Sequence, residues 1–127
     1  MQRTIIQPPY VVAIEKLTAL KNKNLWQSGE VKEYYSELSH ILREYLEWQM
    51  NIPALESTTD ELITILNKRK MSDYLLENVQ DLLQTADLVK FAKVTPPDNV
   101  HDKFWYDAVD IVDKTKPKPV EVIENQS

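Results

Sequence analysis

The chain has 127 residues, 43% hydrophobic and 28% charged, with a net charge of −5, one glycine, seven prolines and no cysteine. Its length fits one domain, and a chain this size buries roughly two-thirds of its unfolded surface without staples. A lone Gly29, against average usage of about 7%, excludes glycine-rich phosphate loops and disfavours sheets, which need glycine at hairpins and bulges.

Pro8 and Pro9 open a first predicted helix, because proline suits positions whose amide goes unpaired anyway. Tyr10, Ile14, Leu17 and Leu20 follow at helical spacing, with Ala13 beside them. Asn22 and Asn24 bracket a turn into Leu25-Trp26. Ser28-Gly29 is the expected cap of a second helix over about residues 29–50.

That second helix carries two apolar stripes. Val31, Tyr35, Leu38, Leu42 and Tyr45 form one; Tyr34, Ile41 and Trp48 form the other. So wide an arc predicts cover on more than one side, and so a central place in the fold. Asn51 suits a left-handed stop, and Pro53 prevents continuation. Residues 52–56 read as an extended connector, since the residue before proline is pushed out of the helical region.

Thr58-Thr59-Asp60-Glu61 is a capping box that opens a short third helix with Leu62, Ile63, Ile65 and Leu66. Asn67 to Lys70 ends it. Ser72 is the expected cap of a fourth helix, whose stripe is Leu75, Leu76, Val79, Leu82, Leu83, Ala86 and Val89. Leu88 and Phe91 fall off that stripe, which predicts a second contact near the C-terminal end. Thr95-Pro96-Pro97-Asp98 reads as threonine cap, proline at the first position and acid at the third. Val100, Phe104, Ala108 and Ile111, with Trp105, Val109 and Val112 alongside, make the fifth helix. Lys114 to Pro119 stops it, and the polar, acidic end is expected to be a disordered tail.

Together these elements predict an all-α, single-domain bundle of five helices around a long central second helix. Residues 1–8 are expected to be a juxtamembrane or cloning-derived segment, 9–117 the helical domain and 118–127 a flexible tail. No apolar run approaches the ~18 residues of a membrane span. The N-terminus also lacks the apolar core of a secretory signal, so the chain as written reads as soluble.

Few residues point to chemistry. His40 and His101 stand apart, each without a second histidine at ligand spacing, and each reads as a surface or core-edge group. Asp107, Asp110 and Asp113 share a helix side, but calcium needs ligands that wrap it. Their spacing reads as a solvated face. No serine lies in a nucleophile elbow. Ser36 and Ser39 flank His40 without forming a relay, because neighbouring helical positions point around the axis. No cofactor or metal is expected. Absent cysteine removes disulfides, thiol nucleophiles and thiolate zinc sites. Twenty acids against fifteen bases argue against sequence-independent nucleic-acid binding. The aromatics are the one suggestive set: Trp26, Trp48, Trp105, Tyr34, Tyr35, Tyr45 and Tyr106. Most are expected in the core, with one or two free to anchor a partner.

From Leu25 to Tyr35 the motif reads LWQSGEVKEYY. Leu38, Ile41 to Glu47, the segments IPALE (52–56) and TTDEL (58–62), Ala86 to Lys93 and Thr115-Lys116-Pro117 follow in order. As an ordered set, over roughly residues 9–117, these resemble the C-terminal cytoplasmic domain of bacterial single-pass membrane proteins of the Bat (aerotolerance) operon type, related in layout to BatD. One departure is Met50-Asn51, where that family usually has an aromatic residue followed by glycine; asparagine tolerates the same left-handed conformation. The resemblance implies a parent protein with a secretion signal, an extracytoplasmic β-rich domain and one transmembrane helix ahead of this domain. It also implies MoxR-type AAA ATPases and von Willebrand A-domain membrane proteins as neighbours, and it carries over no catalytic residue.

The expectation is a non-catalytic protein-interaction module on the cytoplasmic face of the inner membrane, attached through a preceding span that this chain lacks. Its expected contact residues are Ile52, Leu55, Glu56 and Asp60 on the connector and Lys90, Phe91 and Lys93 at the end of the fourth helix. Two rivals remain. An enzyme requires acids or histidines converging around His40 or His101. A helical nucleic-acid reader requires the basic residues to gather on one face.

Overall fold

The computed structural model describes residues 7–117, so the N-terminal segment and the predicted tail at 118–127 lie largely or wholly outside the described residues. Five helices follow one another: α1 (Pro9–Asn22), α2 (Val31–Met50), α3 (Thr59–Lys68), α4 (Asp73–Ala92) and α5 (Asp98–Thr115). Among the described residues there is no strand. No described helix is long and apolar enough to cross a membrane.

At 1.5 Å per residue the 20 residues of α2 run about 30 Å. It packs on α1, α4 and α5, while α3 packs on α4. The expected central rod is therefore in place. Tyr35, Leu38, Leu42, Tyr45 and Leu46 of α2 are all but fully enclosed. Leu17 and Leu20 of α1, Leu82 and Leu83 of α4 and Ile111 of α5 close over them.

Several ends form as their local chemistry dictates. Asn51 is left-handed at φ 53° and stops α2. The Thr58 hydroxyl accepts from the Glu61 amide, and Glu61 Oε1 accepts from the Thr58 amide. Ser72 accepts from the Leu75 amide.

Two starts differ from expectation. The cap of α2 is Glu30, without a side-chain bond, rather than Ser28-Gly29. Gly29 sits at φ +87° in a turn closed by the Glu30 amide on Leu25 O at 2.7 Å, so it belongs to the turn. The cap of α5 is Pro97, not Thr95, which makes Asp98 the first helical residue instead of the third. Pro97 forces the preceding Pro96 out of the helical region, and Pro97 itself stays extended at ψ 148°.

A third difference concerns Trp48, which is half exposed although Tyr34 and Ile41 of its stripe are buried. A seven-residue spacing drifts by about 20° per repeat on a straight helix. By Trp48 the stripe has turned toward solvent, where Lys16 Nζ sits 5.8 Å from its ring centre.

Candidate functional site

The connector between α2 and α3 is held from beneath. Arg43, on α2, donates through Nη1 to Ala54 O at 2.8 Å and Ser57 O at 2.6 Å. Its Nη2 donates to Thr59 Oγ1 at 3.1 Å, and that hydroxyl donates to Asp87 Oδ2 on α4 at 2.5 Å. Glu47 accepts from the Leu55 amide, and Ser57 Oγ donates to Pro53 O. One guanidinium thus joins α2, the connector, the first turn of α3 and α4. Burial pushes the Arg43 pKa down while Asp87 pushes it back up; a guanidinium stays charged throughout.

Above this clamp lies an open groove of about 470 Å³, lined among others by His40, Arg43, Leu55, Asp87, Lys90 and Phe91. Of its lining residues, Phe91 is 78% exposed and Leu55 38%. Leu88 at 50% and Val94 at 43%, at the same end of α4, are exposed outside the lining. Leu88 and Phe91 share a face of α4, one turn apart. Lys93 adopts φ 56°, and the amides of Lys93 and Val94 both turn back to Leu88 O. That left-handed end folds the backbone at Val94 back onto the last turn of α4. Lys90 Nζ lies 5.3 Å from the Phe91 ring centre.

The fold places the expected contact residues unevenly. Leu55, Lys90 and Phe91 converge on the groove, although the connector and the end of α4 lie far apart in sequence. Lys93 is exposed just beyond it. Glu56 and Asp60 are exposed but do not line it. Ile52 is a correction: it is 4% exposed and belongs to the core, so it supports the connector instead of presenting a contact. The turn that stops α2 at Asn51 carries Ile52 into the core cluster.

Arg43 and Asp87 lie outside the set that the sequence suggests. Neither stands out there, because the clamp joins positions 43, 54, 57, 59 and 87, and no local pattern encodes that contact.

A second polar centre lies inside the bundle. His101 of α5 is 0% exposed, not the surface or core-edge group its isolation in sequence implies. Its Nδ1 is 2.7 Å from Tyr35 Oη, and its backbone carbonyl accepts from Tyr34 Oη at 2.8 Å. The rings of Trp26, Tyr34 and Tyr35 surround it, with centroids 5.1–6.1 Å away. Nε2 has no hydrogen-bond partner; Asp98 Oδ1 is 3.7 Å away. We assign the Tyr35 proton as donated to Nδ1, which leaves the ring proton on Nε2. Burial pushes the His101 pKa down, against a weaker upward pull from Asp98 and Asp102. Burial likewise pushes both tyrosine hydroxyls well up, so they stay protonated.

His40 is exposed, 3.7 Å from Glu44, and shares no site with His101. The three aspartates of α5 pair individually: Asp107 with Lys103, Asp110 with Lys114 and Asp113 with Lys116. Among the described residues no group of three or more potential metal ligands is gathered. The chain matches no family model, no curated protein and no solved structure.

Proposed function

We propose that this domain is a non-catalytic protein-interaction module whose contact surface is the groove between the 52–58 connector and the end of α4. What supports this reading is that Leu55 and Phe91, both exposed, meet at one groove although they come from different elements, with exposed Leu88 and Val94 at the same end of α4. Isolated exposed apolar residues are normal; a contiguous set rimmed by charge marks a contact surface. Phe91 has the exposure of an anchor waiting for a pocket. Beneath it the Arg43 clamp holds the connector in one shape, which lowers the ordering cost of association.

The resemblance to Bat-type membrane proteins supplies the setting of the proposal: the cytoplasmic face of the inner membrane, with a MoxR-type ATPase or a von Willebrand A-domain protein as partner. The test is a pull-down with the intact membrane-anchored protein, repeated with Phe91→Ala and Leu55→Ala. Both exposed substitutions are expected to leave the fold intact by circular dichroism. Loss of the same partner from both variants supports the reading; retention of every partner by both removes the groove from it.

A further inference from the structure

Resting on that reading, we infer that the groove selects an acidic segment of its partner, one that sets an apolar side chain against Phe91 and carboxylates against Lys90 and Lys93. The charges around the groove divide into those already engaged and those left open. The one carboxylate in its lining, Asp87, accepts from the Thr59 hydroxyl. Nearby, Glu61 accepts from the Thr58 amide, Glu47 from the Leu55 amide, and Glu44 pairs with Lys16; Glu56 and Asp60 of the connector are exposed outside the lining.

The cations at the open edge are not engaged in this way. Elsewhere on the surface Lys16, Lys23, Lys103, Lys114 and Lys116 each meet a carboxylate, while Lys32, Lys68 and Lys70, away from the groove, meet none among the described residues. Lys90 and Lys93 meet none among the described residues, and Lys90 lies over the Phe91 ring instead. In a chain of net charge −5, the groove is therefore lined by Phe91 and the unpaired Lys90 together, with exposed Lys93 at the same helix end. Both lysines stand at the C-terminal end of α4, where the partial negative charge of the helix favours cations and holds them in place. A basic partner segment would meet Lys90 and Lys93 as like charges, which costs affinity and rejects it. An acidic one gains attraction on approach and loses it with salt.

The probes are three synthetic peptides of equal length. Each carries a central Leu-Phe pair, flanked by Asp and Glu in the first, by Lys in the second and by Ser in the third. Each is titrated into the folded domain and followed through backbone amide shifts. The acidic peptide is expected to move the amides of Leu55, Lys90, Phe91 and Lys93 and to weaken as salt rises. The double variant Lys90→Glu, Lys93→Glu should weaken it about tenfold, because two exposed attractions become repulsions, and should raise the affinity of the basic peptide.

Equal binding of all three peptides, sensitive to Phe91→Ala but not to the charge reversal, overturns the selectivity and leaves the docking surface standing. No response to any peptide, with the pull-down partner also lost from neither alanine variant, overturns both. Acidic-peptide shifts that map to Lys68–Lys70 instead of the groove overturn the inference. So does lysine-dependent binding to phosphatidylserine-containing vesicles without acidic-peptide binding, which assigns the edge to a membrane.

Discussion

The polar centres around Arg43 and around His101 are built on opposite terms. Around Arg43 every donor in play has an acceptor: two connector carbonyls, the Thr59 hydroxyl and, through it, Asp87. Around His101 one side of the ring is satisfied by Tyr35 and the other, Nε2, is enclosed without a partner. Unmade hydrogen bonds in the interior cost more than made ones return. The first centre should therefore be a net fastener of the connector, and the second a tolerated weakness between α2 and α5.

The largest effect that would break this contrast is expected at Arg43. Arg43→Ala removes three charge-assisted bonds and leaves Asp87 without its cation, which should cost about 2–3 kcal/mol by urea denaturation. Arg43→Lys should recover less than half of that, because a point charge cannot reach acceptors arrayed for a planar fork. If alanine is neutral, the clamp does not fasten anything. A smaller effect is expected at the second centre. Tyr35→Phe leaves both ring nitrogens of His101 unpaired and should cost about 1–2 kcal/mol. Adding His101→Leu should return much of that loss, since apolar replacement of both partners removes the unmet polar groups. A double variant weaker than Tyr35→Phe alone would show that the histidine contributes more than its hydrogen bond.

The parts of the fold written in short-range chemistry are legible in the sequence alone. Asn51-x-Pro53, the Thr58–Glu61 box and Ser72 act over three or four residues, and each forms where its pattern puts it. The departures have equally local causes: at Thr95 to Pro97 two prolines compete over one helix start, and at Trp48 a seven-residue stripe drifts off the buried face. What the sequence hides acts over long separations. Leu55 and Phe91 read as two separate contacts until α3 and α4 fold back and set them on one groove. His101 looks incidental in the sequence because its enclosure depends on Trp26, Tyr34 and Tyr35, which arrive from other elements. Only their shared packing makes its polarity matter.

The smallest effect, and the one that separates the two centres most cleanly, is in pH. His101 has its pKa held below the unfolded value by burial. Between the folded and the unfolded pKa the unfolded chain binds the proton and the folded chain does not. Stability therefore rises with pH across that interval. The contribution is complete above the unfolded value of about 6.5 and declines as pH falls below it, levelling once pH passes the lower folded pKa. Arg43 stays charged throughout and adds no slope there. Urea midpoints measured from neutral to mildly acidic pH should fall for the wild type and fall less for His101→Leu. A slope that survives His101→Leu unchanged would place the acid-sensitive weakness outside His101 and remove the asymmetry drawn between the two centres.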